Sequence, residues 1–165
     1  MTDPASLKRL ILRRPALTLA VAESLTAGHL QAQVASVSGA SEYFLGGVTA
    51  YSLDEKVKLL GVNRAHAKSV DCVSQRVAVE MAAGAANLFN ADIAVATTGY
   101  AEPAPKLKVK VPHAYWAICH RHKGGAVEVL SGFLEVAGAD RLAVQASVAD
   151  AVLGELVKYL QESRT

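Results

Sequence analysis

The sequence is poor in aromatic residues, in cysteine and in charge of either sign. Aromatic residues make up 5% of the 165 residues and charged residues 19%, whereas apolar residues make up 52%. The core is therefore expected to consist of alanine, valine and leucine in closely packed helices and strands, as in an ordinary α/β domain. The formal net charge of +2 and the scattered basic residues do not indicate a nucleic-acid partner.

Signals for a metal, a disulfide or a membrane are also missing. Cys72 and Cys119 stand far apart without Cys-x-x-Cys spacing, which predicts two reduced, buried thiols. His120 and His122 alternate near a strand end, but two ligands are too few for a metal, so neither a metal nor a cofactor is expected. No apolar run reaches membrane-spanning length and the first residues show no signal pattern. A cytoplasmic location without a membrane partner is expected.

The order of helical and strand patterns predicts a single three-layer α/β/α domain over residues 1–165, with a mixed, largely parallel sheet. Strands are expected at Leu17–Ala22, Phe44–Tyr51, Ala91–Thr97, His113–His120 and Ala126–Phe133. Helices are expected at Ala5–Arg14, Thr26–Val37, Leu53–Leu60, Ser74–Phe89 and Asp140–Leu160. Neither an internal repeat nor a linker between domains is visible.

The segment Tyr100–Val111 combines prolines with alternating lysines and predicts a long exposed loop. Within it, Lys106, Lys108 and Lys110 alternate with apolar residues. This alternation favours the charged face of an edge strand. A cationic flap above an anionic ligand is the alternative.

Ser24, at the end of the first predicted strand, is the strongest candidate for chemistry. The apolar run Leu17–Ala22 stops at Glu23-Ser24, and the small residues Ala27-Gly28 follow before a helix. This order places a hydroxyl at a sheet edge beside free helical N–H groups. A nucleophilic serine needs a base, yet the Gly-x-Ser-x-Gly pattern of triad hydrolases is missing. Taken alone, such a serine is more often a helix N-cap.

Lys56 is the nearest alternative base, because it follows the second predicted strand. Ser24 and Lys56 are then expected at similar ends of neighbouring strands. A lysine serves as a base only where burial or nearby cations lower its pKa. Without such burial, Lys56 is a solvated helix residue that pairs with an acid such as Asp54, which is the commoner situation.

Four segments, in order, carry a family resemblance. Ala22–Gly28 resembles the Ala-Glu-Ser-Cys-Thr-Gly-Gly signature of the CinA C-terminal domain family. Gly46–Lys56 is similar to its Gly-x-Val-x-Tyr-Ser-Asn-Glu-x-Lys block, and Val73–Ala85 to its Val-Ser-Glu-x-Val-Ala-x-Glu-Met-Ala-x-Gly-Ala helix. Thr98–Pro103 is similar to Thr-Gly-Ile-Ala-Gly-Pro. Each match alone is weak, but together they are specific and span most of the chain.

Studied members of this family are nicotinamide mononucleotide deamidases. The resemblance therefore implies hydrolysis of the carboxamide to nicotinate mononucleotide and ammonia, without a metal. On the matching positions, Ser24 attacks the amide carbon, Lys56 takes its proton, and Tyr51 orients or polarises the pair. The resemblance and the loop positions together give the expected contacts of a small nucleotide or amide substrate, namely Thr26, Ala27, Gly28, Thr98, Gly99 and Lys110. Backbone N–H groups of residues 25–28 are the expected oxyanion or phosphate donors. A homodimer is also implied.

Several positions depart from the family pattern. Leu25 replaces a cysteine, and Ala27 replaces a glycine, which disfavours a positive φ there. Glu102 and His113 also replace glycines, and Gln145 stands at or near a frequent arginine. Three hypotheses stay open: a nicotinamide mononucleotide deamidase, a hydrolase of another small amide, and a non-catalytic paralogue that binds a nucleotide or a protein.

Overall fold

Five strands form one mixed sheet in the computed structural model, which describes residues 2–164. Met1, part of the segment searched for a signal pattern, and Thr165 lie outside this range. The strands are β1 (Leu19–Glu23), β2 (Phe44–Thr49), β3 (Ile93–Tyr100), β4 (His113–Arg121) and β5 (Val127–Glu135). Their spatial order is β2-β1-β3-β4-β5. Strand β1 is parallel to β2 and β3, whereas β3–β4 and β4–β5 are antiparallel. The predicted mixed sheet is confirmed, with parallel pairings in two of the four contacts rather than in most of them.

Helices cover both faces of this sheet, which confirms the predicted three-layer α/β fold. They are α1 (Pro4–Ile11), α2 (His29–Ala35), α3 (Leu53–Leu60), α4 (Arg64–Ser69), α5 (Gln75–Phe89) and α6 (Arg141–Ser163). Helices α3 and α5 match their predicted bounds because local signals mark their ends: Ser52 and Ser74 cap them, and Gly61 ends α3 at φ 66°. Helix α4 was not predicted, although Asn63 caps it by accepting from the His66 N–H.

The two faces of the central strands differ in side-chain size. Leu19, Val21, Ile93 and Val95 pack against α1, α2 and α6. The alternate residues of β1 and β3 are alanines, and they pack against α5, which is itself rich in alanine. Such small side chains let helices approach closely: a Cβ atom on Gly84 of α5 would lie 2.1 Å from the Leu60 carbonyl oxygen of α3. The predicted alanine, valine and leucine core is confirmed.

The connections after β1 and β2 leave on opposite faces of the sheet. Helix α2, between β1 and β2, lies on the α6 side, whereas α5, between β2 and β3, lies on the other side. The carboxyl end of β1 is therefore a topological switch point, the usual place for a ligand crevice in an open α/β sheet. Ser24 follows β1 directly.

The segment before β4 is a loop, as predicted, but its lysines do not form an edge strand. Pro105–Leu107 is a short 3₁₀ helix, and Lys108 adopts a left-handed φ of 60°. This turn breaks the extended backbone that alternation requires, so the edge-strand prediction was wrong. A single bridge between Ala104 and Val109 closes the turn.

The structure also bears on two absences noted in the sequence. Cys72 and Cys119 are free thiols; Cys119 is buried and Cys72 is half-buried. Among the helices of residues 2–164, none has both the length and the apolar character that a membrane span requires.

Candidate active site

The two predicted catalytic side chains are in contact. Lys56 Nζ lies 2.9 Å from Ser24 Oγ, and 2.8 Å from the carbonyl oxygens of both Ala50 and Tyr51. Lys56 is 1% exposed and Ser24 is 7% exposed. Because β1 and β2 are parallel neighbours, their carboxyl ends bring Ser24 and the first turn of α3 together. Lys56 is thus not the solvated helix residue of the alternative prediction, and Asp54 pairs with Arg64 instead.

Burial shifts the pKa of this lysine. Desolvation lowers the pKa of Lys56, whereas the negative charges of a Cys72 thiolate and of Asp71 oppose that shift. Burial also raises the pKa of the Cys72 thiol, so the thiol is uncharged at neutral pH and Asp71 is left as the opposing charge. A lysine with a lowered pKa is the kind of base that a serine nucleophile needs.

The hydrogen-bond geometry accommodates both protonation states of Lys56. A charged ammonium donates three hydrogen bonds, one to each oxygen neighbour. A neutral amine has two N–H groups, which the carbonyls of Ala50 and Tyr51 accept, and one lone pair, which is left for the Ser24 hydroxyl. The neutral form can therefore accept the serine proton without any rearrangement.

Glu23, rather than Ser24, satisfies the start of α2. Its carboxylate is fully buried and accepts from the N–H groups of Gly28, Leu30 and Gln31 at 3.0, 3.1 and 2.8 Å. A carboxylate here is also favoured by the helix dipole. The N-cap alternative for Ser24 was therefore wrong, which leaves its hydroxyl to Lys56.

This capping also narrows the set of predicted oxyanion donors. The Gly28 N–H is taken by Glu23, and the Ala27 N–H donates to the Ser24 carbonyl. Within residues 2–164, the N–H groups of Leu25 and Thr26 have no hydrogen-bond partner. These two unpaired groups directly follow the serine and are buried with it, Leu25 being 2% and Thr26 0% exposed.

The turn after Ser24 keeps a glycine-like backbone. Ala27 has φ 48° and Gly28 has φ 100°, so both residues are left-handed despite the Cβ atom of Ala27. The loss of positive φ expected from Ala27 was wrong. The rest of the turn, through the bonds to Glu23, holds the alanine in this conformation at a cost in strain.

The other residues predicted to contact the substrate do not all lie in the same place. Thr26 Oγ1 lies 2.7 Å from Thr97 Oγ1, and Thr98 Oγ1 donates to the Cys72 carbonyl at 2.6 Å; both threonines are buried at the carboxyl edge of the sheet. At Gly99, a Cβ atom would lie 2.2 Å from the His113 carbonyl oxygen, so this glycine permits close pairing of β3 and β4. Lys110 is exposed on the loop, and no hydrogen bond or ion pair of the described residues connects it to Ser24 or Lys56.

A second polar group at this edge was missed in the sequence. Arg141, at the start of α6, donates to the Tyr51 hydroxyl and to Glu102 Oε1, each at 2.6 Å. Tyr51 therefore contacts Lys56 through its carbonyl, and its side chain, 52% exposed, points to Arg141 instead. One signal was available: Arg141 precedes Gln145, the position near the frequent arginine, by four residues, which is about one helical turn.

The family assignment rests on the whole domain. A model of the CinA C-terminal domain matches residues 4–160. The chain belongs to this family. A CinA-like protein of Chlorobium limicola is 39% identical over 153 residues, which cover 92% of this chain and 35% of that protein. A CinA-like protein of Picosynechococcus is 49% identical over 105 residues, or 62% of this chain and 25% of that protein. The chain thus spans about a third or less of the length of these curated relatives.

Solved structures of CinA superfamily proteins share the fold. One from Klebsiella pneumoniae superposes with a TM-score of 0.85 at 26% identity, covering 96% of each chain. Another, from Escherichia coli, gives a TM-score of 0.80 at 28% identity, covering 94% of this chain and 87% of that one.

The residues that depart from the CinA pattern each have defined neighbours in the structure. Leu25 is buried in the core, in the same cluster as residues of α6. His113 packs against the rings of Tyr100, Tyr115 and Phe133. Glu102 forms the ion pair with Arg141. Glu102 and His113 thus contact residues other than the Ser24–Lys56 pair, whereas the serine and lysine of the pattern are in contact.

Proposed function

We propose that this CinA-family chain is an amidohydrolase that releases ammonia from the carboxamide of nicotinamide mononucleotide. The observation that carries the proposal is the 2.9 Å contact between a buried lysine amine and the Ser24 hydroxyl. The identity of the substrate rests on the family resemblance. Because the curated relatives are longer proteins, the proposal concerns only the domain that this chain covers.

The proposed reaction uses Ser24 as nucleophile and neutral Lys56 as base. Lys56 takes the hydroxyl proton while Ser24 Oγ bonds to the amide carbon, and the developing oxyanion accepts from the N–H groups of Leu25 and Thr26. Lys56 then returns the proton to the amide nitrogen as the C–N bond breaks, and ammonia leaves. Water attacks the resulting ester, again with Lys56 as base, which restores Ser24 and gives the carboxylic acid.

Arg141 is the group that we assign to the substrate phosphate. A guanidinium binds phosphate through paired N–H donors, and Arg141 lies beside Tyr51, the residue whose carbonyl holds Lys56. In the free protein, Glu102 occupies one side of this guanidinium, so a phosphate has to displace that carboxylate. This pairing favours the second candidate, hydrolysis of a small amide that lacks a phosphate.

A comparison of three substrates separates the hypotheses. Ammonia release is measured with nicotinamide mononucleotide, with nicotinamide riboside, which lacks the phosphate, and with nicotinamide alone. Fastest turnover of the mononucleotide supports the proposal, whereas fastest turnover of a substrate without phosphate supports the second candidate. Ligand-induced thermal stabilisation without any turnover supports the non-catalytic binding protein. The absence of both turnover and stabilisation contradicts the proposed substrate.

A further inference from the structure

The β4–β5 hairpin brings two histidines and a glutamate together, away from Ser24. His120 lies in β4 and His122 directly after it, with ring centroids 3.9 Å apart. Glu128 of β5 pairs with His120 across the hairpin, so the three side chains share one face. One ligand atom from each residue lies within 4.8 Å of the other two. The sequence presented two histidines as too few ligands, and the hairpin supplies the third.

This cluster lies at the sheet edge opposite the serine. His120 pairs with Ile93, at the start of β3, and Ile93 pairs with Leu19, at the start of β1. Ser24 follows the other end of β1. A strand of five residues spans roughly 15 Å, so the two clusters are separate sites.

Tyr159 of α6 sets the proton positions in the cluster. Its hydroxyl donates to Glu128 Oε2 at 2.8 Å and lies 2.8 Å from His120 Nδ1. Because a carboxylate only accepts, the single phenol proton goes to Glu128, and the phenol oxygen accepts the Nδ1–H of His120. Neutral His120 therefore carries its lone pair on Nε2. A histidine whose second nitrogen donates to a neighbour in this way is the arrangement typical of metal ligands.

The three side chains have to draw together to hold an ion. The ligand atoms lie within 4.8 Å of one another, and a tetrahedral ion with bonds of about 2 Å holds its ligand atoms about 3.4 Å apart, so each separation has to shrink by at most about 1.4 Å. The side chains of His122 and Glu128 are 39% and 53% exposed and can make that movement, while buried His120 stays in place. His122 Nε2 is already 3.1 Å from Glu128 Oε2.

We propose that His120, His122 and Glu128 bind one divalent transition-metal ion of the zinc class. Two imidazoles and one carboxylate select such ions over magnesium or calcium, which prefer oxygen ligands. Three protein ligands leave a fourth position open. His120 and His122 also line a cleft of about 550 Å³, together with Arg121, Lys123 and Arg164.

The basic side chains of this cleft affect the fourth ligand more than they affect the metal ion. Arg121 donates to the Ala91 carbonyl and to Asn90 Oδ1, at 2.8 and 2.9 Å, so its guanidinium is held by the end of α5. Lys123 is exposed, which screens its charge, but five basic residues line the cleft against one acidic residue, Asp92. An anion is therefore the expected fourth ligand.

Calorimetric titration of metal-free protein with zinc chloride tests the site, together with the visible absorption of the cobalt(II) form. We expect one ion per chain and a cobalt spectrum of low coordination number. His122→Ala and Glu128→Gln are each expected to lower zinc affinity at least about tenfold. Because both side chains are exposed, the fold should persist, which far-UV circular dichroism checks.

His29→Ala and Cys72→Ser are the matched controls, since both remove a potential zinc ligand elsewhere, and zinc affinity should not change. Absence of saturable binding would overturn the proposal. So would binding that both hairpin variants retain in full, because the ion would then lie at another place.

Discussion

At the residue scale, burial changes the pKa of the Lys56 amine. Its amine has three oxygen neighbours, a hydroxyl and two carbonyls, and none of them carries a negative charge. The charged form therefore loses hydration without gaining a counter-ion in contact, which is why its pKa falls. Lys58, two residues further along α3, is exposed beside Glu55. The same residue type thus meets two environments within one helical turn.

The pH dependence of turnover follows from the lowered pKa. Lys56 has to be neutral to accept the serine proton, so kcat/KM should rise with pH and level off above the pKa of Lys56. Because burial lowers that pKa, the midpoint should lie below the ordinary lysine value of 10.5. Rates measured over a pH series check this, with Lys58→Ala as a control that keeps the midpoint. A midpoint at or above 10.5, or a rate that falls as Lys56 deprotonates, contradicts the assignment.

Glu102 should weaken the binding of a phosphate. In Glu102→Gly, Arg141 loses its carboxylate partner and becomes free for the substrate. Exposed ion pairs contribute about 1 kcal/mol at most, so KM for nicotinamide mononucleotide should fall by up to about fivefold with kcat unchanged. Steady-state kinetics with nicotinamide riboside provide the control, because KM for a substrate without phosphate should stay the same. An increased KM for the mononucleotide would show that Glu102 assists binding.

At the element scale, Glu23 joins β1 to α2. Its buried carboxylate accepts from three N–H groups of the helix start, and the next residue is the candidate nucleophile. Helix α2 has seven residues and no side-chain bond from its own N-cap, Gly28. The strand end therefore provides the cap that the helix lacks, and this contact fixes the turn that carries Ser24.

Removal of the Glu23 carboxylate should lower the free energy of unfolding. Glu23→Ala leaves three N–H groups without their acceptor, and hydrogen bonds to a charged group contribute about 1.5–3 kcal/mol. We expect the free energy of unfolding, measured in urea, to fall by about 3 kcal/mol. Glu42→Ala removes an exposed ion pair with Lys8 and should cost less than about 1 kcal/mol. Equal losses in the two variants would refute the capping role.

Two alanine-to-glycine substitutions, one in the left-handed turn and one in α2, should change the free energy of unfolding in opposite directions. Ala27→Gly relieves strain at φ 48° and should raise the free energy of unfolding by up to about 1 kcal/mol. Ala32→Gly, on the exposed face of α2, should lower it by about 1 kcal/mol, because glycine is unfavourable inside a helix. Urea unfolding of both variants is the measurement. If both substitutions destabilise equally, Ala27 is not strained.

Local signals predicted those elements whose ends are set by neighbouring residues. Helices α3 and α5 have serine caps, and a left-handed residue ends each of them. The lysines of the loop before β4 show the limit, since alternation resembles a strand, yet the left-handed Lys108 breaks it. Helix α4 has six residues, too few for a periodic pattern to stand out. Short elements depend on tertiary packing, which the periodicity of the sequence does not reveal.

The candidate site was predictable only where it follows from strand order. Ser24 and Lys56 sit at the ends of two parallel neighbours, so their approach follows once those strands are recognised. The group of Tyr51, Glu102 and Arg141 joins three distant segments, and no local pattern connects them. The same is true of Glu128, whose partners lie across a hairpin and on the last helix.

At the scale of the whole molecule, the sheet separates two edges of different chemistry. Its switch point holds the serine, the lysine and the free N–H groups of residues 25 and 26, whereas the opposite edge holds the histidine cluster. The fold agrees with that of the Klebsiella pneumoniae CinA superfamily structure over 96% of the chain, while two of the substituted positions, Glu102 and His113, contact residues other than Ser24 and Lys56. The homodimer and the cytoplasmic location stay predictions; sedimentation of the purified protein checks the first.

The central claim is that Ser24 and Lys56 together hydrolyse a carboxamide. Ammonia release from nicotinamide mononucleotide, compared between wild type, Ser24→Ala and Lys56→Ala, tests it most directly. Ser38→Ala and Lys58→Ala replace exposed residues of the same types and serve as controls. The predicted result is a loss of kcat/KM of about a thousandfold or more in the first two variants and no loss in the controls. Turnover by Ser24→Ala at the wild-type rate would contradict the account.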